Sequence, residues 1–414
     1  MKMKYFGFLL LFSLTYQHLA GQEIDLLLKG GTVIDPKNGI NRIMDVAIDD
    51  GKIVRVAQNI PETGIFRVVD VRGLYVVPGL IDIHSHNFYG TEPDSYLSNG
   101  YAALAPDPLT FRTGVTTVVD VGGAGWRSFE TFKRQTIDNS KTRVLSMLNI
   151  VGIGMKGGAF EQSLGDMNAE HTARVAKQYP QHIVGVKVAH YAGPDWTPVE
   201  RAVEAGKLAN IPVMIDFGGY KAEPLSIQTL FFEKLRPGDI FTHTYAHVEG
   251  RIPIVDEQRK VRPYVFDAQK RGIIFDVGHG GGSFVWNQAV PALEQGFKPN
   301  TISTDLHTGS MNGGMKEQIN VMSKFLNLGM TVQEVVTCST WNPAQVIKRP
   351  EFGHLSVGAE ADVAVLRLHE GSFGFIDTRG WTYPGKYKLE VELTLRAGEV
   401  VWDLNGITRP RWER

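Results

Sequence analysis

The chain has 414 residues, 43% hydrophobic and 21% charged, with 43 Lys and Arg against 44 Asp and Glu and a net charge of −1. This balance excludes a disordered or fibrous chain and lacks the basic excess that nucleic-acid binding relies on. Cys338 is the only cysteine, so an internal disulfide and a cysteine-based zinc knuckle are both excluded, and any metal must be held by other side chains.

Lys2 and Lys4 precede an apolar run from Tyr5 to Tyr16 and then the segment His18 to Gln22. These are the charged, apolar and small-residue parts of a secretory signal, with cleavage near Ala20 or Gly21. A membrane span needs roughly 20 apolar residues, more than this run supplies. Residues 1–21 therefore read as a cleaved signal peptide, which makes the mature protein secreted or periplasmic with no membrane segment.

Short apolar runs at 25–35, 45–49, 52–56 and 66–70, separated by Gly, Asn or Asp turns, predict an antiparallel β segment. From Val76 the rhythm becomes an apolar run, a loop and a stretch of helical period, repeated. Eight such runs follow: Val76 to Ile83, Thr116 to Val121, Val144 to Val151, Ile183 to Val188, Pro212 to Phe217, Ile240 to Thr242, Ile273 to Val277 and Thr301 to Thr304. Helices are predicted between them at Trp126 to Asp138, Ala169 to Gln178, Pro198 to Ala209, Leu225 to Leu235 and Phe284 to Gln295. Eight parallel strands with crossover helices describe an α/β protein built on a (β/α)8 TIM barrel. Beyond the barrel, helical stretches at Gly314 to Leu328 and Asn342 to Lys348 give way to strands at 361–367, 389–395 and 399–403. Neither terminal β segment is long enough to bury a core alone. The expected organisation is one small composite β-sandwich from residues 22–76 and 355–414, beside a barrel of residues 77–354.

The chemistry collects at predicted strand ends. His84 and His86 close the first run two residues apart, so period-two geometry points both imidazoles the same way, at the rim where barrel enzymes place their active sites. A His-x-His pair alone is equally at home as solvated or core histidines; its company decides the reading. Lys187 lies inside an apolar strand, where burial favours the neutral amine. Such an amine can add CO2 to become a carbamate, an anionic ligand able to bridge two metals. His243 and Asp305 end the sixth and eighth runs, and His279 follows the seventh. Each alone could cap a loop; together they place imidazole and carboxylate at one rim, a set suited to Zn and similar divalent ions.

The segments Pro78 to His86, Gly114 to Asp120, Lys187 in its strand, Ser303 to His307 and Gly353 to Asp362 resemble the amidohydrolase superfamily, in particular its dihydroorotase-like amidohydrolase/deacetylase branch. The resemblance covers nearly the whole mature chain. It implies that His84 and His86 bind one metal, carbamylated Lys187 bridges, His243 binds the second, and Asp305 ligates the first while acting as general base. Strand five in that family usually ends in a histidine, and here it ends in Asp216. Either Asp216 ligates the second of two Zn2+ or other divalent ions, or the site holds one metal and Asp216 is structural. His279 is expected to contact substrate, and His190 is a substrate or supporting residue, as is His307. Lys221 and Arg251 are candidates to pair with a substrate carboxylate. The implied activity is hydrolysis of an amide or ester carbonyl by activated water, removing an acetyl or small acyl group from a small carboxylic acid. Hydrolysis of a cyclic amide is the alternative. The expected partner is a small molecule, with no nucleic acid, and a homo-oligomer is compatible with the sequence.

Overall fold

The computed structural model describes residues 24–92, 95–216 and 225–413. The leader and the segment Gly218 to Lys221 lie outside the described residues.

One sheet is assembled from both ends of the chain. Strands β1 (Ile24–Asp35), β2 (Ile40–Asp49), β3 (Lys52–Ala57), β4 (Ile65–Asp70) and β5 (Tyr75–Pro78) come first. After β6 (Leu80–Ser85), β7 (Tyr89–Glu92), β8 (Val115–Gly125), β9 (Arg143–Asn149), β10 (Ile183–Val188), β11 (Val213–Ile215), β12 (Ile240–Phe241) and β13 (Ile274–Phe275), the chain returns with β14 (Val363–Ile376), β15 (Thr382–Arg396) and β16 (Glu399–Asp403). The end sheet runs β16-β15-β14-β5-β1-β2-β3, with β4 beside β1. The join is the antiparallel pairing of β14 with β5, Val363 opposite Pro78 through Leu366 opposite Tyr75. Alternation along β1 sends Leu26, Leu28 and Val33 to one apolar cluster and Leu27 to another on the opposite face. The terminal segments thus meet in a sandwich-like part, as their matching patterns predict.

The second sheet is parallel and curled, in the order β6-β8-β9-β10-β11-β12-β13. It differs from expectation at both ends. The run from Val76 to Ile83 is divided: Tyr75–Pro78 pairs within the end sheet and Leu80–Ser85 pairs with β8. Gly79 makes the division possible, because a Cβ there would lie 2.2 Å from Thr116 Oγ1. The eighth run is not a continuous strand. It enters through single bridges of Asp276 with Thr301 and of Ser85 with Leu306, and Asp305 N donates to His84 O at 2.6 Å. Asp305 has φ 53°, which breaks the regular ladder while the segment still closes the barrel between β13 and β6.

Barrel helices fall near their predicted places. Ala169–Gln178 is capped by Asn168, whose side chain accepts from His171 N. The predicted helix over 225–235 is instead a short turn at Ile227–Thr229 followed by a π-helical turn at Leu230–Lys234. Inside the barrel, Ile83, Val121, Met147, Val184, Met214 and Ile240 pack together and are closed from below by Ala344 and Ile347. The interior is therefore a filled core, and chemistry is confined to the layer above it. Among the described residues no helix is long and apolar enough to cross a membrane.

Candidate metal centre

The strand period that fills the barrel also builds the site. On β11, Met214 lies in the interior and Asp216, two residues on, points the same way one layer higher; Ile240 and Thr242 repeat this at β12, and Ile274 and Asp276 at β13. A register shift in β10 between Ile183 and Gly185 lets Lys187 join the same layer. Lys187 is fully buried among these groups, with Nζ 3.1 Å from His84 Nε2 and 3.9 Å from Asp216 Oδ2.

Distances tie the rim together. His86 Nε2 is 2.8 Å from Asp305 Oδ1, and His84 Nε2 is 3.6 Å from the same oxygen. His243 Nε2 lies 3.2 Å from Asp216 Oδ2. One nitrogen or oxygen from each of His84, His243 and Asp305 falls within 4.8 Å of the others.

Hydrogen bonds set the orientation of the rings. Thr242 Oγ1 donates to Asp276 Oδ2 at 2.7 Å, so its oxygen accepts from His84 Nδ1 at 2.8 Å. Gly278 O accepts from His243 Nδ1 at 2.5 Å. Both imidazoles are thereby held with the proton on Nδ1 and the lone pair of Nε2 facing the cluster, the arrangement that oxygen acceptors impose on metal-binding histidines. Gly278 is needed for this packing: a Cβ there would lie 2.3 Å from Thr242 Oγ1 and 2.9 Å from His243 Nδ1.

The site also concentrates backbone strain. His190, His243 and Asp305 have φ of 53°, 55° and 53°, left-handed conformations that side-chain-bearing residues seldom adopt and that recur at functional sites.

Electrostatics favour ligand-ready forms. Burial drives the His84 imidazole down to about 3, reinforced by the Lys187 charge, so the ring is neutral. Burial also holds Lys187 below the ordinary lysine range. For Asp305 burial opposes ionisation, but His84 and His86 outweigh it and keep the carboxyl ionised far below the usual range. For Asp216 burial is likewise outweighed, by His243 and Lys187. Neutral imidazoles, ionised carboxylates and a buried amine inclined to the neutral form make a donor set that fits a divalent ion. His86 Nδ1 is buried without a hydrogen-bond partner, which leaves that ring less firmly oriented than its neighbours.

A model of the amidohydrolase family matches residues 285–401. A deacetylase of Brucella anthropi is 32% identical over 342 residues, covering 80% of this chain and 81% of that protein. The chain belongs to the amidohydrolase family. Among solved structures, an adenine deaminase superposes with a TM-score of 0.82 at 26% identity, covering 92% of this chain and 100% of that one. A dihydroorotase superposes with a TM-score of 0.78 at 28% identity, covering 91% and 99%. Membership makes this protein a hydrolytic enzyme acting on carbon–nitrogen bonds.

The other candidates of this amidohydrolase divide by geometry. His279 is fully buried and stacked on Phe284 at 4.5 Å; its Nδ1 donates to Gly280 O at 3.0 Å and its Nε2 accepts from Lys324 Nζ at 2.6 Å. Both ring nitrogens are taken, so a substrate contact through either would break one of these bonds. His190 is partly exposed at the rim, with Nδ1 2.8 Å from Glu161 Oε2 and Nε2 3.6 Å from Asp216 Oδ2. His307 stands 6.1 Å from His86, ring to ring. Arg251 is buried, lies over Phe241 at 4.5 Å and donates to Thr242 O at 2.6 Å, so it braces β12. Lys221 lies outside the described residues.

Thr242, Asp276, Glu161 and Lys324 surround the amidohydrolase site and were not singled out as site residues from the sequence. Thr242 and Asp276 obey the same two-residue spacing as Asp216, which is the signal that could have found them. Glu161 sits in a 3-10 turn (Gly158–Gln162) with no periodic signal, and Lys324 sits on an apolar helix where its pattern reads as surface.

Proposed function

We propose that this amidohydrolase is a metal-dependent hydrolase that removes an acetyl or other small acyl group from a small N-acyl or O-acyl carboxylic acid. The observation that carries this reading is the convergence of imidazole Nε2 atoms on the Asp305 and Asp216 carboxylates, around a fully buried lysine. The relationship, over 80% of this chain, to a protein named a deacetylase supports the choice of acyl group.

In this reading His84, His86 and Asp305 would hold one divalent ion, His243 and Asp216 would hold a second, and Lys187 would supply a further anionic donor as a carbamate. The carbamate forms when the neutral amine attacks CO2: an N–C bond is made as one C=O π bond of CO2 opens, the nitrogen gives up one proton to solvent, and a neutral buried amine becomes an anion. That conversion suits a group whose nearest carboxylate oxygen is 3.9 Å away, too far to neutralise it by a hydrogen bond. Bound there, a divalent ion supplies Lewis acidity, making water nucleophilic near neutral pH and polarising the carbonyl under attack. Asp305, ionised and beside His86, accepts the proton of the attacking water. As the carbon–nitrogen or carbon–oxygen bond breaks, it returns that proton to the leaving atom. The filled barrel core beneath the site leaves the substrate only the loop side from which to enter.

A second reading, hydrolysis of a cyclic amide, is favoured by the superposition on a dihydroorotase. One screen separates the two: zinc-loaded protein assayed against N-acetyl amino acids and O-acetyl hydroxy acids, and in parallel against hydantoins and dihydroorotate. Acetate release supports deacylation, ring opening without acetate release supports the second reading, and inertness toward every member of both sets by a fully loaded enzyme removes both.

A further inference from the structure

We propose that His190 is a ligand of the second metal position, completing it with Asp216 and His243, and that buried Glu161 is the residue that aims it. The inference rests on the binuclear reading above and adds two residues to it.

Three observations converge. The first is spacing. Donor atoms bound at about 2.0–2.2 Å to a tetrahedral ion sit roughly 3.3–3.6 Å from one another. Asp216 Oδ2 is 3.2 Å from His243 Nε2 and 3.6 Å from His190 Nε2, so this carboxylate oxygen stands from each imidazole at about the separation that a shared ion requires. The 3.6 Å contact of His190 is too long for a direct hydrogen bond, while the 3.2 Å contact of His243 lies at the long end of that range.

The second is orientation. His190 Nδ1 donates to Glu161 Oε2 at 2.8 Å, leaving Nε2 directed toward Asp216. Glu161 is itself buried, and its other oxygen accepts from Gly157 N at 2.9 Å. The same device appears at His84 through Thr242 and at His243 through the Gly278 carbonyl. Three rings from three different strand ends each have Nδ1 tied to an oxygen and Nε2 turned inward. A carboxylate behind an imidazole is the support that fixes tautomer and basicity in metal sites.

The third is local strain. His190 holds φ 53°, and the backbone there is clamped by Gln162, whose Nε2 donates to His190 O at 2.8 Å and whose Oε1 accepts from Ala192 N at 2.8 Å. Glu161 and Gln162 are consecutive, so one short turn fixes both the ring and the backbone of the residue.

The test is a zinc titration of chelator-stripped full-length protein, read as metal bound per chain. Wild type is expected to take up two equivalents. His190→Ala is expected to keep one tight equivalent and to bind the second at least tenfold more weakly. Glu161→Gln, whose one amide oxygen can still accept from His190 Nδ1 but which loses the charge and the acceptor for Gly157 N, is expected to reach two equivalents with the second weakened about 10- to 100-fold. His190→Gln, with its melting curve compared to wild type, guards against a folding defect, and it too should lose the second equivalent. Two equivalents bound by His190→Ala with wild-type affinity would overturn the inference, as would a wild-type stoichiometry of one. Acyl hydrolysis by a one-zinc wild type would leave the proposed function standing, whereas a wild type that binds no metal would remove both.

Discussion

Thr242→Val is the sharpest probe of how the site is held. Valine matches threonine in shape, so packing between Gly278 and His84 is preserved while the hydroxyl is lost. That hydroxyl makes two bonds, accepting from His84 Nδ1 at 2.8 Å and donating to Asp276 Oδ2 at 2.7 Å. Asp276 also receives Thr301 Oγ1 at 2.6 Å and Ser303 Oγ at 2.7 Å, so it keeps two of three hydroxyl donors. His84 Nδ1 keeps none, since Asp276 Oδ2 is 3.7 Å away. An orphaned buried donor costs about 1–3 kcal/mol. The ring can escape that cost by moving its proton to Nε2, toward Asp305, which removes the lone pair needed for a metal. The expected result is therefore a metal-free protein destabilised by about 1–3 kcal/mol in urea, together with the loss of about 10- to 100-fold in zinc affinity that outer hydrogen bonds to metal-binding histidines supply. Thr242→Ser keeps the hydroxyl and should restore affinity, losing only the packing of one methyl. Zinc affinity for Thr242→Val within twofold of wild type would refute the claim that this bond orients His84, whatever happened to stability.

Three further outcomes follow from the same geometry. Asp305→Asn should lower turnover by about 10²- to 10⁴-fold while metal stays bound, and an unchanged kcat would remove Asp305 from proton transfer. Lys187→Ala should lose metal, with partial recovery of occupancy when short carboxylic acids are added to occupy the space of the carbamate; full occupancy without additives would show that Lys187 is no ligand. Lys324 is buried, and burial drives its amine from 10.5 down to about 7. Between pH 7 and 10.5 the unfolded chain holds that proton more than the folded protein does, so stability gains from rising pH across this window. The stability of wild type relative to Lys324→Met should therefore increase from pH 7 to 10, measured by urea unfolding of metal-free protein, and a flat difference would show that the amine keeps its ordinary affinity for protons.

What the sequence made legible and what it hid divide along one physical line. The barrel was readable because strands repeat a two-residue alternation, and the end of each apolar run then marks the rim. That rule alone brings His84, Lys187, Asp216, His243 and Asp305 within one cluster, although 103 residues separate His84 from Lys187. It failed where backbone geometry departs from a strand. The eighth segment is held by isolated bridges because Asp305 turns out of the ladder, and the first run is split at Gly79, where the chain passes against Thr116. The supporting groups were hidden for a different reason. Glu161 meets His190 across 29 residues from a glycine-rich turn, and Lys324 meets His279 across 45 from a helix. No periodicity links either pair, since each depends on how a loop returns over the barrel. A constraint on such partners remains even so. A histidine that offers Nε2 to a metal carries its proton on Nδ1, and an oxygen acceptor behind a buried Nδ1–H fixes that tautomer, so such an oxygen marks a ring held ready for a metal even though its absence does not rule one out. Counting those oxygens distinguishes the rings: His84, His190 and His243 each have one, His86 Nδ1 has none, and His279 donates to Gly280 but gives its remaining nitrogen to Lys324. By that criterion His190 shares the arrangement of the proposed ligand rings and His279 belongs with the scaffold, whereas their places in the sequence suggested a substrate contact for His279 and a substrate or supporting role for His190.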